Sequence, residues 1–184
     1  TPETLNGFVE ANGYVSIEAA HFTRKTEAGG VTWDEIPGYG RTLSGMSVFP
    51  VTAESVTNPG PETSPCLEYR MYLFEPGIVD VWTVFGPTLD FVPGRGLRYA
   101  VSFDDAPPQI IELVPPGRGQ LPRDWNRVVG DSARWSASKH LIAEPGYHTL
   151  KIWMVDPAVV LEKIVVDRGG AKQSYLGPPE SFRN

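Results

Sequence analysis

Proline spacing constrains this chain more than any other feature. Eighteen prolines fall along 184 residues, with 19 glycines among them. A helix interior tolerates proline badly, at about 3 kcal/mol, and few proline-free stretches are long enough for a helix. That spacing excludes an all-helical fold and suits many short strands joined by turns. Core material is sufficient, since 41% of the residues are hydrophobic and 11% aromatic. The length fits one domain spanning 1–184.

Alternation places the strands. Residues 14–22 read as strand, 31–36 as a short strand or loop and 41–51 as a weakly alternating strand, with Pro37-Gly-Tyr-Gly40 as a turn cluster. Residues 66–74 and 78–85 follow, separated by Pro76-Gly77. In the second of these, Val79, Val81, Thr83 and Phe85 share one face and Ile78, Asp80, Trp82 and Val84 the other. Both faces are partly apolar, which predicts a central strand. Residues 97–103 and 109–114 form a hairpin around Asp104-Asp105-Ala-Pro-Pro108. Asp124 is positioned to cap a short helix from Trp125 to about Val129. Strands at 133–142, 148–155 and 159–166 complete the pattern, and the tail beyond Asp167 is polar and turn-rich. About ten strands with turns roughly every 8–15 residues describe an all-β, antiparallel β-sandwich with one short helix.

Several chemistries are unsupported. With 22 acidic against 16 basic residues and no basic run, the chain lacks the basic face that phosphate backbones require. One cysteine, Cys66, excludes an internal disulfide and any multi-thiolate zinc site. No apolar stretch approaches the ~20 residues of a membrane span, and no signal peptide is visible. The chain opens at Thr1, as expected of a mature product or an excised fragment of a larger protein. Gly130-Asp-Ser132-Ala-Arg134 lacks the second glycine of a nucleophile elbow. Gly94-Arg-Gly96 precedes a strand and reads as a turn. His21, His140 and His148 read as strand histidines with local hydrogen bonds. The pairs Asp34-Glu35 and Asp104-Asp105 consist of neighbours that point to opposite faces, so neither pair alone can clamp a glycosidic bond.

Aromatics in turn-rich surroundings are more informative. Trp33, Tyr39 and Trp125 are candidate platforms for the C–H face of a sugar ring, whereas Trp82 and Trp153 lie in apolar runs and read as core. Arg41 beside them can pair with a carboxylate in a forked geometry. Calcium takes six to eight oxygen ligands. Glu18 on the first strand and Glu162 on the last are candidates to share one ion.

Four segments carry a resemblance. They are Tyr14-Val-Ser-Ile-Glu-Ala, Trp33-Asp-Glu-Ile-Pro-Gly-Tyr-Gly-Arg-Thr42, Trp153-Met-Val-Asp-Pro157 with Val160-Leu-Glu-Lys-Ile-Val-Val-Asp167, and Ser174-Tyr-Leu-Gly-Pro-Pro-Glu-Ser181. Together they resemble the C-terminal domain of glycoside hydrolase family 115, whose enzymes are α-glucuronidases acting on xylan and related uronic-acid-bearing glycans. The resemblance implies a jelly-roll sandwich similar to carbohydrate-binding modules of families 6 and 35, with catalytic residues on other domains. It also implies an extracellular or periplasmic, bacterial secreted setting. In those modules a structural calcium is held by an opening Glu-Ala-Glu and by an acid on the closing strand. Glu18 and Glu162 match the first and last of these, while Ala20 replaces the second glutamate.

The resulting expectation is a non-catalytic carbohydrate-binding module. Its partner would be a polysaccharide or oligosaccharide of the plant cell wall, uronic-acid-bearing and glucuronoxylan-like. The alternative is a structural domain that packs on catalytic domains or self-associates and binds no sugar. Interfaces favour aromatics and arginine too, so composition does not separate the two.

Overall fold

The computed structural model describes residues 2–117 and 119–184. Among the described residues, twelve strands and one α-helix follow a short 3₁₀ turn at Pro2–Thr4. The strands are β1 (Phe8–Val9), β2 (Tyr14–Glu18), β3 (Arg24–Thr26), β4 (Thr32–Pro37), β5 (Ser44–Phe49), β6 (Cys66–Leu73), β7 (Gly77–Phe85), β8 (Leu97–Phe103), β9 (Gln109–Val114), β10 (Arg134–Ile142), β11 (Gly146–Met154) and β12 (Val160–Asp167). The helix α1 (Trp125–Asp131) lies between β9 and β10.

These strands make two stacked sheets. The first has the order β1-β6-β11-β8-β9, with β3 also on β6. The second has the order β10-β7-β12-β5-β4, with β2 also on β12. Pairing is antiparallel except for β1 on β6. As the alternation predicts, β7 is central, held by β10 on one side and β12 on the other. Val79, Val81, Thr83 and Phe85 point into the core. Facing residues of the other sheet, among them Tyr69, Leu97, Tyr99, Val101 and Ile152, close the interior. Thr83 Oγ1, the Tyr99 hydroxyl and Ser136 Oγ form a short chain of hydrogen bonds through it. Trp153 is buried, as expected, but in a small cluster with Cys66, Ala100 and Val155. Its indole N–H donates to Ser102 Oγ.

Three details depart from the sequence reading. The strands β1 and β3 are additional, and both dock by backbone bonds on β6. Asp124 makes no side-chain cap for α1; its carboxylate instead takes Arg134 of β10 at 2.5 Å. Finally, the register of β12 against β7 shifts between Leu161 and Lys163. Glu162 is therefore the extra residue of a bulge, which re-aims a side chain. No helix among the described residues is long and apolar enough to cross a membrane.

Candidate functional site

The four expected sugar-contacting residues do not share one surface. Trp33 is fully buried. It points inward from β4, and its indole N–H donates to the Pro65 carbonyl at 3.1 Å. A turn-rich neighbourhood suggested exposure, but strand parity turned the ring into the core and the 50–65 loop supplied its partner. Trp33 is thus removed from the candidate platform. Trp125 is half-buried at the start of α1.

Tyr39 and Arg41 do come together, around Glu162. The Tyr39 ring lies directly on backbone, since a Cβ at Gly86 would stand 2.5 Å from it. A Cβ at Gly40 would meet the Glu162 carboxyl at 2.8 Å. Burial, and then the Glu162 charge, push the Tyr39 phenol up. Glu162 is 3% exposed and its Oε1 has no hydrogen-bond partner. Desolvation pushes its carboxyl up to about 7 and Glu18 adds to the rise, while the Arg41 backbone N–H and the Arg41 charge oppose it.

The calcium reading is tested by the same residues. Glu18 has both oxygens engaged, Oε1 with Lys163 Nζ at 3.0 Å and Oε2 accepting from Thr42 Oγ1 at 2.6 Å. Ala20 supplies no ligand. Among the described residues no three histidine, cysteine, aspartate or glutamate side chains gather to hold a metal ion. An ammonium fixed on the first carboxylate does not fit a divalent cation there.

A different group of side chains forms a hollow on the outer face of the second sheet. Trp82 of β7 stands between Ala137 of β10 and Val165 of β12. Trp135 of β10 pairs with Val84, one step along the same face. Both indoles are half-buried, and with Val165 they floor a hollow of about 230 Å³. Its walls are Asp167, at the end of β12, and Ala171, Lys172, Gln173, Ser174 and Pro178 of the C-terminal segment. Asp167 Oδ1 accepts from the Gly169 and Ala171 N–H groups, which starts that segment back across the sheet. Hydrogen bonds from Ser16 to Pro178 and Ser181, and from the Glu18 N–H to Glu180, hold it down. The volume lies below the roughly 300 Å³ at which pockets enclose whole drug-sized ligands. A ligand here is one ring, or a longer chain lying mostly in solvent.

Arg41 lies beside this hollow, next to Trp135. Its guanidinium lies 4.6 Å from the Tyr175 ring centroid and 5.8 Å from that of Trp135. Among the described residues neither Arg41 nor Lys172 has a carboxylate in salt-bridge contact, so both cations are available to an anion. The sequence reading placed Trp82 in the core and did not select Trp135. The missed signal was Asp80, a charged neighbour on the Trp82 face.

Chemically, the hollow offers two flat apolar faces bordered by an acid, an amide, a hydroxyl and the Lys172 cation, with the Arg41 guanidinium beside Trp135. That combination suits a sugar, which stacks by its C–H face and hydrogen-bonds by its rim. The fold has solved counterparts. It matches a GH26-CBM35 β-(1,4)-mannanase from Podospora anserina with a TM-score of 0.54 at 14% identity, covering 85% of this chain and 28% of that one. It also matches the C-terminal CBM6 of the laminarinase LamC from Zobellia galactanivorans, with a TM-score of 0.50 at 10% identity, covering 84% of this chain and 99% of that one. The architecture is thus that of carbohydrate-binding-module β-sandwiches.

The family model for the Glycosyl hydrolase family 115 C-terminal domain matches residues 7–180, and the chain belongs to that family. A solved family GH115 4-O-methyl-α-glucuronidase, BtGH115A, described as specific for decorated arabinogalactans, matches with a TM-score of 0.59 at 17% identity. The match covers 85% of this chain and 18% of that enzyme. No curated protein matches the chain.

Proposed function

We propose that this domain is a non-catalytic carbohydrate-binding module of a secreted, family 115-type glycan-degrading enzyme. Its ligand is a plant cell-wall glycan that bears uronic acid. The observation that carries the reading is the Trp82 and Trp135 pair, half-buried side by side on a sheet face and walled by a polar segment. Arg41 and Lys172 supply the cationic side that a uronate carboxylate needs. At a formal net charge of −6, the domain as a whole gives such a ligand no long-range attraction, so recognition is local. One acid of each neighbouring pair is engaged: Asp34 binds Lys25 and Asp104 binds His148. The working compartment is extracellular or periplasmic.

Tryptophan fluorescence tests this reading. The chain is titrated with glucuronoxylan, a decorated arabinogalactan and an uncharged xylan. The expected result is a saturable change with the acidic glycans that is lost in Trp82→Ala. A change that survives both Trp82→Ala and Trp135→Ala contradicts the site.

A second reading, a structural domain that self-associates, is favoured by a separate observation. Leu89, Phe91 and Leu121 are 38%, 55% and 59% exposed and line one groove, and apolar exposure of this kind marks contact surfaces. No response to any glycan, with a dimer on a sizing column, supports that reading.

A further inference from the structure

Lys163 is 4% exposed, an uncommon burial for an ammonium. It lies opposite Glu18 in the β2–β12 pair. Its Nζ contacts Glu18 Oε1 at 3.0 Å and donates to the carbonyls of Pro178 at 3.1 Å and Leu176 at 3.3 Å. An ammonium has three donors, and here three oxygens receive them. A carboxylate plus backbone carbonyls is the kind of donor set that a hard cation gathers. The spacing near 3 Å fits N–H···O bonds, whereas calcium draws oxygens to about 2.3–2.6 Å. Thr42 fills the remaining Glu18 oxygen, and Ala20 adds no further carboxylate.

We propose that Lys163 is an internal cation doing the work of a structural calcium: it neutralises Glu18 and fastens the C-terminal segment onto β2 and β12. The fold is then indifferent to calcium, and Lys163 joins the Ser16 and Glu18 hydrogen bonds in holding the wall of the Trp82–Trp135 hollow. Gly177 lies within 3.4 Å of both the Lys163 stem and the Trp135 ring, measured from an added Cβ, so fastening and wall meet at one point. The link to glycan binding rests on the sugar-binding reading; the fastening itself does not.

The test is thermal unfolding of the chain with chelator and with millimolar calcium, together with amide exchange. Ser181 is the reporter, because its N–H donates to the Ser16 carbonyl at 2.9 Å. The wild type is expected to melt at one temperature in both conditions. Lys163→Met strands a buried carboxylate and is expected to melt roughly 10 °C lower, with faster exchange at Ser181. A melting point that rises several degrees with calcium in the wild type overturns the proposal, as does Lys163→Met with unchanged melting and exchange. Should Lys163→Met not fold, the double variant Glu18→Leu with Lys163→Met removes both charges. Faster exchange at Ser181 in that variant supports the fastening, and wild-type exchange refutes it. A wild type that meets these results yet binds no glycan counts only against the sugar reading.

Discussion

Trp33 and Trp82 both sit on strands of the second sheet, yet they end in opposite surroundings. Trp33 lies on β4, at the sheet edge, and is fully buried. Trp82 lies on β7, in the middle of the sheet, and faces a hollow. Sheet position alone would suggest the reverse. Two things decide the matter. Parity chooses the face, since neighbouring residues on a strand point opposite ways. What covers that face then decides burial. The inner face at Trp33 meets the other sheet and the 50–65 loop, which offers a carbonyl to the indole N–H. The outer face at Trp82 is only partly crossed by the C-terminal segment. A tryptophan's surroundings in sequence are therefore a poor guide to its exposure.

Substitutions can break this contrast. The largest effect is expected from Trp33→Ala, which empties a fully packed site and should cost about 3–5 kcal/mol, read by urea unfolding. Trp33→Phe fills most of the space and removes only the indole bond to the Pro65 carbonyl, which still accepts from the Met154 N–H, so the hydrogen-bond part of its cost is expected to be smaller, about 0.5–1.5 kcal/mol. A loss below 1 kcal/mol in Trp33→Ala would show that Trp33 is not core.

Next comes the turn between β4 and β5, where Glu162 of β12 sits beneath Gly40, facing Tyr39, Arg41 and Glu18. Its carboxyl is pushed up to about 7 in the fold, from an ordinary value of 4.5. The fold thus favours the protonated form. That contribution is fully present below about pH 4.5 and is lost as pH rises through about 7. Unfolding free energy is expected to fall by about 3 kcal/mol across that window. Glu162→Gln should flatten that part of the profile and be the more stable form at pH 8. Parallel profiles for the two proteins would refute the buried-acid assignment.

Trp82→Ala and Trp135→Ala are expected to change stability by less than Trp33→Ala, while each weakens glycan binding at least tenfold, about 1.4 kcal/mol. The smallest effect belongs to Arg41→Met. Losing the guanidinium over Tyr175 should cost about 0.5–1 kcal/mol, and selectivity for acidic over neutral glycans should drop. Equal losses for both glycan classes would assign Arg41 to packing alone.

The strands were largely legible because glycine or proline lies close to most of their ends and several alternate clearly; β6, β8 and β9 fall within a residue of their expected limits. The strands β1 and β3 escaped for physical reasons. Phe8–Val9 is two residues long, and Arg24–Thr26 carries no apolar side chain. Both exist because β6 has edge hydrogen bonds to give. The site was less legible. Trp82 reads as core because β7 is apolar on both faces. The polar tail beyond Asp167 reads as a loose end, and Lys163 pins it through contacts that no local pattern announces. Glu18 and Glu162 were chosen as a pair, but the bulge at Glu162 and the salt bridge from Lys163 give them different fates.

The central claim is that sugar recognition belongs to the outer hollow and not to Trp33. The five tryptophans give five indole N–H signals in a nitrogen-correlated NMR spectrum, so one titration with an acidic xylo-oligosaccharide tests it directly. The account predicts that the Trp82 and Trp135 signals move with saturation, while those of Trp33 and Trp153, bonded to Pro65 and Ser102, stay in place. Movement confined to Trp125 or Trp33, with Trp82 and Trp135 still, would contradict it.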